Sequence, residues 1–218
     1  MKSRLKIEML VVTFFTFAIV IIAPMIFKII TNDTGKMIIK PVLYIFLVGM
    51  PFVVCKIMKN SIWKLGFKKS EILNQILIGV KIFILISFIF SIVVFILSDE
   101  KGMLLGRKQI NTASIIYYIV FYILFVGMGE EMLFRGYFME RFRNLTDSKV
   151  WAVVLSSLLF GIWHFPNGQD FLQVILTTFI GAIYGLAKMK INNCSTLSLG
   201  IAHGLHDVYL FILTSFLL

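Results

Sequence analysis

The residues able to do chemistry are few and grouped. Glu130, Glu131, Arg135, His164, His203, His206 and Asp207 all stand within long apolar runs, and they include all three histidines of the chain. An ionisable group inside a lipid-facing segment is expensive, so each one needs a partner or a task. Carboxylates and imidazoles held together in an apolar surround can take a proton from water and return it to a leaving group. That is the chemistry of hydrolysis.

Spacing divides the labour. Glu131 and Arg135 stand at i and i+4 with the acid on the N-terminal side, the favourable order for a helical ion pair. Glu130 is turned about 100° from Glu131 around the same helix. The reading is that Glu131 pairs with Arg135 while Glu130 faces a cavity. The bland alternative has both acids neutralising arginines, Arg135 and Arg141. Phe160 and His164 share a face of the next run, where a lone histidine is more often a satisfied structural residue than a ligand. His203 and Asp207 stack one turn apart on the last run, with His206 offset around the helix. The bland alternative there is an Asp–His pair satisfying itself. Gly181-x3-Gly185 and Gly200-x3-Gly204 fit close helix packing.

Depth arithmetic predicts that the groups meet. Glu130 is 13 residues from Arg143, His164 is 15 from Lys149, and His203 is 13 from Lys190. With those basic residues marking one membrane interface, the three lie roughly 20, 22 and 20 Å along their helices. Two chemistries follow from such a meeting. In one, His164, His203 and a carboxylate, Asp207 or Glu130, hold Zn²⁺, which acidifies a bound water. In the other, Glu130 positioned by His164 deprotonates water, and His203 with residue 207 stabilises the oxyanion. An aspartate at 207 donates only when protonated; otherwise it acts as a ligand or orients a histidine. There is no H-E-x-x-H pair, no G-x-S-x-G elbow, and only one intramembrane aspartate, which sets aside the usual zinc, serine and aspartyl alternatives.

The elements that must position these residues follow from composition. In 218 residues, apolar side chains make up 59% and charged ones 15%, against roughly 25% charged in a soluble domain. With a mean hydropathy of +0.94, this excludes a soluble enzyme, a disordered chain and a nucleic-acid-binding domain. The net charge of +10 reflects Lys and Arg kept in loops rather than a nucleic-acid partner. The expected fold is all-α, a polytopic transmembrane bundle of about seven spans (six to eight): 9–30, 40–58, 72–97, 113–140, 150–165, 171–188 and 195–217. The first is read as a retained helix, because it is too long for a signal-peptide core and lacks a cleavage site. The fifth and sixth are short, and the Pro166–Asn167–Gly168 turn between them is expected below the membrane surface. Residues 1–110 read as N-terminal scaffold helices and 111–218 as the catalytic core. Inner segments hold 13 basic residues and outer ones 6, which places the N-terminus in the cytoplasm. Segment 59–70, with Trp63, Leu65 and Phe67 among its lysines, reads as an interfacial stretch on anionic lipid. Cys55 and Cys194 read as reduced packing residues.

Taken together, Glu130-Glu131-x3-Arg135, Phe160-x3-His164 and His203-x3-Asp207 resemble the three ordered motifs of the CPBP family of intramembrane proteases, the CAAX proteases and bacteriocin-processing enzymes also called Abi. The resemblance covers about residues 120–210. It implies a membrane endopeptidase in which Glu130 is the catalytic carboxylate, His164, His203 and Asp207 line the same cavity, and Glu131 and Arg135 support them. The family tolerates Asn or Asp at the position of Asp207, and its motifs do not decide between zinc and glutamate alone. The implied partners are the lipid bilayer and a peptide or lipidated protein. The implied roles are CAAX-type processing, bacteriocin or pheromone maturation, or bacteriocin self-immunity in a bacterial cell membrane. Two readings of other classes compete: a proton- or ion-coupled transporter using the Glu/His cluster as a relay, and a non-enzymatic immunity protein.

Overall fold

The computed structural model describes residues 2–59, 61, 65–96, 112–167 and 171–216. Every regular element among them is helical. We number the helices α1 (Lys2–Ile29), α2 (Asp33–Ile57), α3 (Ile72–Ile96), α4 (residues 112–146), α5 (Lys149–His164), α6 (Phe171–Lys190) and α7 (Thr196–Phe216), with a 3₁₀ turn over Phe165–Asn167. Six are long and apolar enough to cross a membrane; α5, at 16 residues, is shorter. The protein is a polytopic helical integral membrane protein. Lys101, Arg107 and Lys108, three of the outer charges counted above, lie outside the described residues, as do Trp63 and Gly168.

Helices α1 and α2 begin seven residues before their apolar runs. The start of α2 is set by Asn32, whose side chain accepts the Gly35 N–H, followed by Asp33 in the first turn. Both features satisfy or complement the exposed N–H groups of a helix start. An Asn–Asp start is polar and falls outside a search for hydrophobic runs. At the far end of α4, Asp147 takes a left-handed conformation with φ of 54°, and Ser148 then caps α5 by accepting the Trp151 N–H.

Burial identifies the centre. Only 17% of the apolar windows of α1 and α2 is buried, against 56% for α7. Leu10 and Phe14 on α1 and Ile45 and Phe46 on α2 are open to the outside. In water such faces would drive aggregation; in hydrocarbon they are matched to their solvent. Helix α7 packs against α3 and α4, α5 packs against α6, and α1 and α2 pair with each other and flank α4. A core of Met132, Leu133, Phe134, Tyr137, Phe138, Phe160 and Trp163 joins α4 to α5.

Polar contacts staple the bundle. Glu8 of α1 accepts from Arg141 Nε at 2.7 Å and from the Tyr137 hydroxyl at 2.9 Å. Arg141 therefore takes its carboxylate from α1, not from Glu130. Within segment 59–70, Leu65 and Phe67 depart from the interfacial reading, while Trp63 lies outside the described residues. Leu65 is 1% exposed in the core, its carbonyl accepts from Thr196 Oγ1 at 2.7 Å, and Phe67 packs against the same core. Gly66 makes this docking turn with φ of +83°, and the absence of a side chain at Gly136 admits the Leu65 backbone. Cys55 and Cys194 are both buried, and burial pushes the Cys194 thiol up to about 12.

Helices α4 and α7 touch at glycines. A Cβ on Gly204 would stand 2.6 Å from Ile123 Cα and 2.9 Å from Tyr122 O, both backbone. Gly49 has nothing within 4 Å of its would-be Cβ. Gly204→Ala is therefore expected to lower stability by about 1–3 kcal/mol, while Gly49→Ala is neutral or stabilising by up to about 1 kcal/mol. Thermal unfolding of the two variants in the same detergent checks the contrast.

Candidate active site

Helix α4 is not a regular α-helix where the chemistry lies. Tyr122–Gly127 and Met132–Phe138 are π-helical and flank a single α turn, Met128–Glu131, that carries both acids. Each wide turn re-aims the side chains beyond it, and such insertions concentrate at functional sites. The i, i+4 pair survives: Arg135 Nη1 donates to Glu131 Oε1 at 2.9 Å, with both side chains fully buried. The guanidinium lies over the Phe160 ring at 4.3 Å and near the Tyr184 ring at 5.5 Å, where the aromatic faces take up part of its charge. Gly181 leaves the room, since a Cβ there would come 2.7 Å from Arg135 Nη2 and 3.0 Å from Phe160 Cδ1. The 181/185 pair thus accommodates an arginine as well as a neighbouring helix.

Glu131 has a second partner. His203 Nδ1 donates to Glu131 Oε1 at 3.0 Å, so one buried oxygen joins α4 to α7. The His203 ring stacks on Tyr184 at 5.5 Å and meets the Phe160 ring edge-on at 5.8 Å. Its Nε2 faces Asp207 Oδ2 at 3.6 Å and Glu130 Oε2 at 3.9 Å. His164 is fixed differently. Its Nδ1 lies 2.7 Å from the Phe160 carbonyl; a carbonyl only accepts, so Nδ1 carries the proton. His164 Nε2 then points at Glu130 Oε2, 3.6 Å away.

Glu130 is held from an unexpected quarter. The Tyr44 hydroxyl of α2 donates to Glu130 Oε1 at 2.8 Å, while Oε2 is buried without a hydrogen-bond partner. The structure thus brings together Glu130, Glu131, Arg135, His164, His203 and Asp207. His206 turns aside to Ser87 of α3, with Nδ1 3.0 Å from Ser87 Oγ.

A cavity of about 150 Å³ opens beside this cluster, with His164, His203, His206 and Asp207 on its wall and Gln173 and Thr177 of α6 opposite. Glu130, 2% exposed, is not on that wall. It sits behind the two imidazole edges instead of facing the cavity directly. Among the described residues, no three His, Cys, Asp or Glu side chains are grouped as ligands for one metal ion.

Sequence reasoning missed Tyr44 because it stands alone in an apolar helix, and Glu8 because it follows Lys2, Arg4 and Lys6 ahead of the first apolar run. A tyrosine in a membrane span reads first as an interfacial anchor, and only the fold shows which acid it reaches.

Residues 112–212 match the family model described as type II CAAX prenyl endopeptidase, Rce1-like. No curated protein and no solved structure matches the chain. The matched segment holds Glu130, His164, His203 and Asp207 but not Tyr44. Residues 112–212 are thus similar to the Rce1-like CAAX prenyl endopeptidases, a family of intramembrane peptide hydrolases.

Proposed function

We propose that the protein hydrolyses a peptide bond of a prenylated, membrane-associated substrate, with Glu130 as general base toward water. The observation that carries this reading is the unpartnered, buried Glu130 Oε2, which lies 3.6 Å from His164 Nε2 and 3.9 Å from His203 Nε2 beside a cavity. One water making two hydrogen bonds of about 2.8 Å spans up to roughly 4.5 Å between its partners. The 3.6 Å between Glu130 Oε2 and His164 Nε2 falls within the span that one water admitted from the cavity would bridge. His164, with its proton on Nδ1, accepts from that water and aims its lone pair at the substrate carbon.

The step balances within the chain's own groups. The water oxygen bonds to the carbonyl carbon and its proton passes to Glu130. The carbonyl electrons move to oxygen, where an N–H from His203 stabilises the charge. Carboxyl groups face both ring nitrogens of His203, so its imidazolium has partners on each side. Glu130 then returns the proton to the leaving nitrogen as the C–N bond breaks. In this scheme Asp207, 3.6 Å from His203 Nε2, orients that ring and does not itself donate.

The family description favours a CAAX-type prenylated peptide; maturation or immunity roles toward bacteriocin-like peptides use the same chemistry on another substrate. The excess of basic residues on the inner segments supports a cytoplasmic N-terminus, and the short, Lys-, Ile- and Phe-rich chain supports a bacterial cell membrane.

Glu130→Gln is expected to lower cleavage of a prenylated CAAX peptide about 10²–10⁴-fold, and His164→Ala and His203→Ala by at least about 10²-fold, with all three proteins accumulating in the membrane. Mass spectrometry of the products checks this, and loss of accumulation in all three would leave these residues a purely structural role. Cleavage by the purified protein is also expected to persist after exhaustive chelation. Loss on chelation with recovery on adding Zn²⁺ would replace the metal-free form with the zinc form.

A further inference from the structure

We infer that Tyr44 is a positioning residue for the reaction, and that α2 thereby completes an active site whose other members lie in residues 112–212. This rests on the reading of Glu130 as general base. A glutamate carboxyl turns easily about its last torsion, which has broad, shallow preferences. Burial alone does not choose which oxygen faces the imidazoles. The Tyr44 hydroxyl makes that choice by donating to Oε1 at 2.8 Å, leaving Oε2 toward His164 and His203.

The surroundings hold Tyr44 to this task. Its ring meets Phe121 edge-on at 5.3 Å, which ties α2 to the residue just before the first π turn of α4. Helix α2 approaches closely because Gly129, the neighbour of Glu130, has no side chain. A Cβ there would run into Val48 Cγ2, one turn along α2 from Tyr44. A tyrosine one turn away from a glycine contact, reaching a buried acid across 86 residues of sequence, is a constraint on that acid and not a generic membrane anchor.

Full-length Tyr44→Phe keeps the ring and removes the donor. A hydrogen bond to an ionisable group corresponds to about a ten- to hundred-fold change, so kcat is expected to fall by that factor with KM within about two-fold. The affinity of the prenylated CAAX peptide for the Glu130→Gln protein should be the same whether or not Tyr44→Phe is also present. In infrared spectra, the carboxyl band identified by subtracting the Glu130→Gln spectrum should shift in Tyr44→Phe. Gly129→Ala, which pushes Val48 and Tyr44 away, should lower kcat in the same way. An unchanged kcat and an unshifted band in Tyr44→Phe would overturn the inference, as would a loss confined to KM or explained by a lowered melting temperature. If Glu130→Gln itself still cleaves, the general-base reading fails first; if Glu130→Gln is inactive and Tyr44→Phe is fully active, only the role of Tyr44 falls.

Discussion

The arrangement depends on one buried oxygen. Glu131 Oε1 accepts from Arg135 on its own helix and from His203 on α7. A charge pair sealed from water is costly to bury and far more costly to break, since removing one partner leaves the other uncompensated. Arg135 cannot relax outward, because Phe160 and Tyr184 enclose it and Gly181 gives it only the space it fills. Nor can His203 turn, with Tyr184 against one face and Phe160 at its edge. The imidazole that faces the cavity is thereby aimed by a residue that is not on the cavity wall. Two adjacent acids in the sequence thus meet different partners: Glu131 joins Arg135 and His203, while Glu130 joins Tyr44 and lies toward His164.

The π-helical turns of α4 make that division possible. In a uniform α-helix, adjacent residues diverge by about 100° and stay diverged. Here the acids sit on one α turn between two widened ones, so the helix delivers Glu131 to Arg135 and His203 and Glu130 to Tyr44 and His164. Other contacts anchor the widened stretch. Lys188 donates to the Arg135 carbonyl, and the Leu65 backbone lies against Gly136. A loop beyond α2, an α6 lysine and a glycine together hold a conformation that local propensity would not select.

Much of this was legible in the sequence, and the physical reason is the bilayer. Hydrocarbon forces every span to be a helix, so the apolar runs marked out seven helices. It also penalises each ionisable residue, which made Glu130, His164 and His203 stand out and let their depths be compared. What stayed hidden needs the third dimension. Tyr44, Glu8 and Ser87 have partners that lie 86, 133 and 119 residues away. Leu65 was hidden for a different reason. Among lysines it looked like a membrane anchor, yet the fold draws that short stretch into the core. The π turns left no trace, because a single inserted residue does not disturb a hydrophobic run.

The shortness of α5 has a consequence for the surrounding lipid. Its 16 residues extend about 24 Å, less than the roughly 30 Å thickness of a hydrocarbon layer. Hydrophobic mismatch of this kind is relieved by local thinning of the bilayer. Thinning at the end of the helix that carries His164, beside the exposed Phe165, would bring the membrane surface closer to the site. Headgroups and their hydration drawn inward there would shorten the path that water must travel to reach the buried acids.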